Sequence, residues 1–123
     1  MHPAARRSIL AVFNVAFPIL PGRADAARSF ANETLGERRS AFEEFQKRAD
    51  VARETWSIQE LPEGGALMLV WFEAADPGKM FAELAQDSSE FAVWFRERVQ
   101  EINGIDLTQP SEGGSEVALD WVA

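Results

Sequence analysis

The chain contains no cysteine, no tyrosine and only one histidine, His2. The lack of cysteine excludes a disulfide framework, a thiolate nucleophile and a cysteine-ligated metal site, and it is typical of a reducing cytoplasm. A lone histidine at the N-terminus leaves almost no basis for Ser-His-Asp catalysis, a multi-histidine zinc site or a haem ligand. We therefore predict no cofactor and no metal, with a site made of carboxylates alone left open.

Basic residues are also few, with 12 Lys and Arg against 20 Asp and Glu, so the net charge is −8. This charge repels phosphate backbones and anionic lipid head groups, and we predict no nucleic-acid partner and no membrane partner. The apolar run at residues 9–20, preceded by Arg6 and Arg7, imitates a secretory signal. Asn14 and Pro18 interrupt the run, which is also too short to span a bilayer as a helix. We interpret it as a strand and predict a cytoplasmic protein.

A length of 123 residues fits one domain. We predict a flexible N-terminus at residues 1–8 and a single ferredoxin-like, dimeric α/β-barrel domain at residues 9–123. Its most informative stretch is residues 53–75, where two strand-like runs flank the turn at residues 62–65. The second of these runs is apolar on both faces.

Alternating apolar residues predict four strands. The runs at residues 9–17 and 66–72 are apolar on both sides, which is typical of central strands. Residues 53–61 have one polar side, which favours an edge strand or a cavity wall. The last predicted strand lies at residues 117–122, where Val117, Leu119 and Trp121 alternate with Ala118, Asp120 and Val122.

Helical spacing fills the remaining segments. Residues 27–49 carry two apolar stripes with a break near Gly36. Asp76-Pro77 predicts a helix start, Asp87 and Glu90 have capping-box spacing, and Asn103-Gly104 predicts a helix end. The order strand, helix, strand, strand, helix pair, strand predicts an α+β fold of the ferredoxin-like split β-α-β type. Its four-stranded antiparallel sheet would carry the helices on one face.

The second face of that sheet would be apolar and uncovered. Monomers rarely expose apolar patches larger than a few hundred Å². Burying five large apolar side chains contributes on the order of 10 kcal/mol before association costs are subtracted. We therefore predict a homodimer in which the two sheet faces meet.

Several segments resemble an uncharacterised bacterial domain family of the dimeric α/β-barrel superfamily, which also includes antibiotic biosynthesis monooxygenases. They are Pro21-Gly22-Arg23, Glu63-Gly64-Gly65, the passage at residues 72–77, Trp94-Phe95 and the passage at residues 103–107. The resemblance extends over residues 9–122. It implies two sheets that enclose a cavity, in which many relatives bind or oxidise small hydrophobic molecules.

Asn14 is the most informative single residue, because an unpaired amide in an apolar strand costs about 1–3 kcal/mol. One hypothesis places it in a cavity, where it orients a ligand beside Trp71 or Trp56. The alternative, which buried polar groups favour in general, is an internal hydrogen bond. Polar residues near strand ends could line a cavity mouth. The predicted ligand-binding residues are Asn14, Trp56, Gln59, Trp71 and Asp120.

Three functions stay open at this level. The first is a small-ligand-binding or non-catalytic homodimer. The second is a cofactor-independent, monooxygenase-like enzyme acting on an aromatic or polyketide-like molecule, with Asn14 orienting it. The third is a structural interaction module with a packed barrel. The four tryptophans and nine phenylalanines do not separate these functions, because aromatics at such spacing usually form core. No residue is singled out as catalytic.

Overall fold

A computed structural model describes residues 10–109 and 114–123. The predicted flexible N-terminus, with His2, lies outside these residues. The elements, in chain order, are β1 (Ala11–Ile19), α1 (Ala24–Leu35), α2 (Arg39–Arg48), β2 (Val51–Glu60), β3 (Ala66–Ala74), α3 (Pro77–Gln86) and α4 (Glu90–Asn103). Within the described ranges, no helix has the length and hydropathy needed to cross a membrane.

The three strands form one antiparallel sheet in the order β1-β3-β2. β3 is the central strand, with Ala11 to Ile19 of β1 paired to Ala74 to Ala66 along its full length. β2 pairs with the other edge of β3 and has an irregularity between Val51 and Arg53. The predicted turn between β2 and β3 is confirmed. Leu61 N–H donates to the Gly65 carbonyl over 2.9 Å, and both turn glycines adopt positive φ.

The predicted four-stranded sheet is wrong, although the α+β class is right. The described part of the chain forms three strands, and the segment predicted as the last one is irregular and exposed. Leu119 is 82% exposed and Trp121 is 77% exposed. Only the start of the segment meets β1, where Ser115 N–H donates to the Asn14 carbonyl over 2.7 Å. Alternation predicts a strand, but a strand also needs a neighbouring edge along its length.

The prediction that β3 is apolar on both faces is confirmed. Met68, Val70 and Phe72 are buried under the helices. Leu67, Leu69 and Trp71 alternate with them and lie on the opposite face, where they are partly exposed. We call this second surface the open face. It also carries Glu73 of β3, Val12, Asn14, Ala16 and Pro18 of β1, and Arg53, Thr55, Ser57 and Gln59 of β2, as strand alternation requires.

Three of the predicted helix boundaries have clear physical causes. The Asp76 side chain accepts from Gly78 N–H and Pro77 is the first residue of α3, as predicted. Gly104 ends α4 with φ +69°, also as predicted. The cap of α4 differs from the prediction, because Ser89 caps the helix by accepting from Ala92 N–H, while Asp87 accepts from Ser89 N–H. The capping function is thus divided between two side chains.

The core is a layer of aromatic rings between the sheet and the helices. Phe30 of α1 packs against Trp56 of β2 and against Trp94 and Phe95 of α4, with ring centroids 5.0 to 5.4 Å apart. Phe91 joins the same group through Trp94 and Phe95. Much of the aromatic content is therefore core.

Candidate functional site

The sheet separates the predicted ligand-binding residues. Asn14 and Trp71 are paired neighbours in the β1–β3 register and lie on the open face with Gln59. Trp56 lies on the opposite face, against Phe30. Asp120 lies in the exposed segment after Ser115. Asn14 and Trp71 are thus brought together, while Trp56 and Asp120 are kept apart from them.

Trp71 also has a cationic neighbour on the open face. The Arg53 guanidinium carbon lies 5.8 Å from the centre of a Trp71 ring. Arg53 comes from β2, where it pairs with Glu73 of β3. A cation over an indole is attracted by the negative face of the ring. This contact places a positive charge next to Trp71 near one end of the open face, opposite the negative charge of Glu73.

The most developed polar constellation lies on the helix-covered side of β2. Because side chains two apart on a strand share a face, Glu54 and Trp56 both point towards α1 and α2. Glu54 Oε2 accepts from the Trp56 indole N–H over 2.6 Å, and Oε1 accepts from the Gln46 amide over 2.8 Å. Gln46 belongs to α2, so its bond to Glu54 ties the helix to the strand, while the Trp56 bond lies within β2.

Burial raises the pKa of Glu54, and the hydrogen bonds from Trp56 and Gln46 oppose this effect without cancelling it. The carboxyl group therefore keeps its proton to higher pH than an exposed glutamate does. A protonated carboxyl group offers one O–H donor besides its acceptor positions, and an ionised one offers about four acceptor positions. Trp56 and Gln46 occupy two acceptor positions, so the group can still form a hydrogen bond with a ligand that reaches it.

A surface groove of about 230 Å³ leads to this carboxyl group. Its lining consists of Ala31, Thr34, Leu35, Phe42, Glu54, Thr55 and Trp56. A smaller apolar cavity of about 50 Å³ lies deeper in the core and is lined mostly by phenylalanine, methionine and aliphatic side chains. Phe42, Glu54 and Trp56 border both spaces. We call the groove, the cavity and Gln46 together the Glu54 pocket.

Two larger depressions on the surface have a different character. One, of about 430 Å³, lies beside Arg28, which pairs with Asp25 and with Glu60 at 2.7 Å each. The other, of about 620 Å³, is wide and shallow and is lined by exposed residues of α4. Both are open to solvent and lack a buried polar group. The Glu54 pocket is smaller, yet it combines apolar walls with a placed acceptor, which is the usual composition of a ligand site.

The pocket can bind, orient and exchange a proton with a small molecule. A carboxyl group of raised pKa in an apolar recess resembles the groups that serve as acids and bases in active sites. Among the described residues, no three acidic or histidine side chains come together in a way that could hold a metal ion. The chemistry that the pocket itself provides is therefore hydrogen bonding, proton exchange and stacking on an indole.

Glu54 and Gln46 were not among the residues predicted from the sequence. The strand pattern does contain a signal for Glu54, since a carboxylate alternating in phase with Trp56 and Ile58 falls on the apolar side. Gln46 carries no such signal. It lies on another element, and its distance from Glu54 depends on how α2 packs against β2.

Comparisons of the chain with protein-family models, with curated proteins and with solved structures gave no match. The resemblance to the dimeric α/β-barrel superfamily therefore stays a prediction. The functional argument rests on the geometry of the Glu54 pocket and of the open face.

Proposed function

We propose that this protein is a homodimeric, small-ligand-binding protein and that its ligand occupies the Glu54 pocket. The observation that carries this proposal is the Glu54 carboxyl group, which is held by Trp56 and Gln46 and has spare acceptor capacity. It stands at the junction of a groove and an apolar cavity. A polar group in such a place fixes the orientation of an otherwise apolar ligand.

The dimensions restrict the ligand to a small molecule. The groove of about 230 Å³ and the cavity of about 50 Å³ fall near the lower end of ligand sites, which span about 300–1,000 Å³. The ligand must form a hydrogen bond with the Glu54 carboxyl group, and a hydroxyl group fits best because it both donates and accepts. Its body must be apolar, and an aromatic ring fits best beside Phe42 and Trp56.

The homodimer in this proposal forms through the open face. Val12 is 42% exposed, and Leu67, Leu69 and Trp71 are partly exposed beside it. A second copy brings an identical surface, and two-fold contacts of this kind are the commonest form of protein assembly. The face lies on the opposite side of the sheet from Glu54 and shares only Thr55, on the edge strand β2, with the groove, so dimer formation leaves most of the groove accessible. The cysteine-free composition supports a reducing cytoplasm as the compartment.

The test compares two probes of similar shape, phenol and toluene, of which only phenol donates a hydrogen bond. Binding is followed by ligand-observed NMR and by tryptophan fluorescence. We expect phenol to bind roughly two- to ten-fold more tightly than toluene, because a neutral hydrogen bond contributes about 0.5–1.5 kcal/mol. The Glu54→Leu variant, whose side chain has no hydrogen-bonding atom, should lose most of this preference. Glu63→Gln, a control at an exposed turn residue, should keep it.

Equal binding of phenol and toluene to the wild-type protein would contradict the proposed ligand class. Unchanged phenol binding by Glu54→Leu would show that the ligand site lies elsewhere. Circular dichroism of both variants verifies that the fold survives, so a loss of binding can be assigned to the carboxyl group.

A monooxygenase-like activity is the second candidate, and the register pairing of Asn14 with Trp71 favours it. On the open face this pair would lie between two facing sheets, with the amide oriented towards an aromatic or polyketide-like substrate beside the indole. The readout is oxygen consumption with an aromatic substrate set. If Asn14→Ala leaves oxygen-dependent turnover unchanged, this candidate is lost. A dimer that takes up no probe would favour a packed structural module instead.

A further inference from the structure

The chain after Gly114 is an apolar segment that nothing in its own fold covers. We call residues 115–122 the C-terminal segment. Val117, Leu119, Trp121 and Val122 are 53 to 82% exposed. Three of them recur at every second position, which places them on one side of an extended chain. Such a contiguous apolar surface marks an interaction site in a folded protein.

The segment starts beside β1 but does not follow it. Ser115 N–H donates to the Asn14 carbonyl, and all residues from Ser115 onward are exposed. The crossing is close, because a Cβ added at Gly114 would overlap the Asn14 carbonyl and come within 2.6 Å of the Phe13 ring. Pro18 also lies in β1, and proline has no N–H to donate to an added strand. The C-terminal segment therefore contacts the free edge of β1 at its first residue only and does not pair along the strand.

The open face is the complementary surface. Its centre is formed by Leu67, Leu69 and Trp71, which are partly exposed and have no helix over them. Every copy of the protein thus has one uncovered apolar segment and one uncovered apolar face. Two copies related by a two-fold axis can cover both at once, since each donates its segment and each receives one.

The length of the segment agrees with this arrangement. Eight extended residues span roughly 26 Å, so the segment is long enough to leave its own copy and cross the sheet of a second copy. Arg53 and Glu73 lie opposite each other on the open face, so their charges balance and the contact depends on the burial of apolar side chains.

We infer that the C-terminal segment of one copy packs Val117, Leu119 and Trp121 on the open face of a second copy, which returns the same contact. This inference rests on the homodimer of the proposed function and specifies how that dimer is held together. It does not depend on the Glu54 pocket, which lies on the other side of the sheet. Each copy therefore completes the apolar cover of the other.

The first experiment removes the segment by ending the chain at Gly114. Light scattering after size-exclusion chromatography should show a dimer for the full chain. The truncated chain should dissociate at concentrations about 100-fold or more higher, because several large apolar contacts are lost per copy. The Leu119→Ala/Trp121→Ala variant should shift in the same direction. Glu43→Ala/Glu44→Ala, on the exposed side of α2, should leave dissociation unchanged. Circular dichroism of the truncated chain provides an independent check that the fold is intact.

The second experiment decides between a contact within one chain and a contact between chains. Since the chain has no cysteine, single cysteines can be introduced without a background. Leu119→Cys in a tagged chain and Ser57→Cys in an untagged chain are mixed and treated with a short bis-maleimide. Packing between copies predicts a cross-linked species with the mass of both chains. Glu44→Cys in place of Ser57→Cys should give none.

Each outcome has a definite meaning. A full chain that is monomeric overturns the inference together with the proposed dimer, while the phenol test of Glu54 stands apart. A dimer that survives truncation unchanged overturns the inference alone. If a Ser57→Cys/Leu119→Cys chain cross-links only within itself, the segment folds on its own sheet and the inference is wrong. A cross-link between the tagged and the untagged chain supports the inference, provided that it disappears when Glu44→Cys replaces Ser57→Cys.

Discussion

The Trp56 indole N–H donates to the carboxyl group of Glu54, two residues earlier on the same strand, over 2.6 Å. Both side chains face the helices, and the Trp56 ring is fixed by Phe30 and Phe95 at centroid distances of 5.1 and 5.8 Å. The carboxyl group is therefore positioned by a side chain that is itself held by the core. This preorganisation allows a ligand to bind without the entropic cost of ordering the acceptor.

We expect the stability of the protein to fall as the pH rises through the pKa of Glu54. Burial raises that pKa, so the folded chain holds the proton more tightly than the unfolded chain. The resulting stabilisation is complete below the pKa that Glu54 has in the unfolded chain. It is lost as the pH rises through the pKa of Glu54 in the folded chain. Urea unfolding from mildly acidic to mildly alkaline pH measures it. In the Glu54→Gln variant the free energy of unfolding should change less with pH than in wild type, whereas Glu63→Gln should behave like wild type. The same change with pH in wild type and Glu54→Gln would contradict the prediction.

At acidic pH we expect an effect of the opposite sign, in which the free energy of unfolding falls as the pH falls. Hydrogen bonds from the Ser89 backbone N–H, and the nearby positive charge of Arg48, lower the pKa of Asp87. The stabilisation that Asp87 contributes is present above the pKa of this group in the unfolded chain. It is lost as the pH falls through the pKa of Asp87 in the folded chain. Asp87→Asn should therefore reduce the acid-induced loss of stability in urea unfolding. A variant with the same acid sensitivity as wild type would argue against this assignment.

Phe42→Ala should join the groove and the inner cavity, because the Phe42 ring borders both. The side chain is partly exposed, so we expect a loss of about 2 kcal/mol, less than the 3–5 kcal/mol typical of a fully buried phenylalanine. Larger aromatic donors, such as naphthol, should then bind more tightly than to the wild-type protein. Phe42→Leu, which keeps most of the wall, is the matched control. Equal naphthol affinity for Phe42→Ala and wild type would show that Phe42 does not limit the pocket.

Asn103→Ala should destabilise the protein by about 1–3 kcal/mol. The buried Asn103 amide at the end of α4 donates to the Pro18 carbonyl of β1 over 2.9 Å. Removing it leaves that carbonyl without its donor from α4. Urea unfolding gives the loss directly, with the exposed neighbour Glu101→Ala as the control. If Asn103→Ala loses no more than Glu101→Ala, the bond between α4 and β1 does not contribute as predicted.

Local features of the fold could be predicted from the sequence because they depend on neighbouring residues. The turn at residues 62–65 needs glycines of positive φ, and Asp76-Pro77 carries a cap and a fixed φ in adjacent positions. The apolar residues on both sides of β3 likewise predicted its central position. In each case the physical cause is within a few residues of the effect.

Three features could not be predicted because they depend on how separate elements pack together. Val117, Leu119 and Trp121 alternate as strand residues do, but only a neighbouring edge makes a strand, and that edge belongs to residues about a hundred positions earlier. Gln46 and Glu54 are eight residues apart on different elements, and only the packing of α2 on β2 brings them together. Asn14 and Trp56 were considered for one site, yet the sheet places them on opposite sides.

The central position of β3 also determines which part of the molecule opens last. Both edges of this strand are paired from Ala66 to Ala74, whereas β1 and β2 each have one free edge. Its amide hydrogens should exchange with solvent most slowly, at a rate close to that of global unfolding. About fifty residues separate β1 from β3 in the chain, and closing a loop of that length costs more entropy than closing the short turn between β2 and β3. We therefore expect the β2–β3 hairpin to form before β1 pairs with β3. Folding would then begin with the two strands in the middle of the chain and end with the pairing of the N-terminal strand.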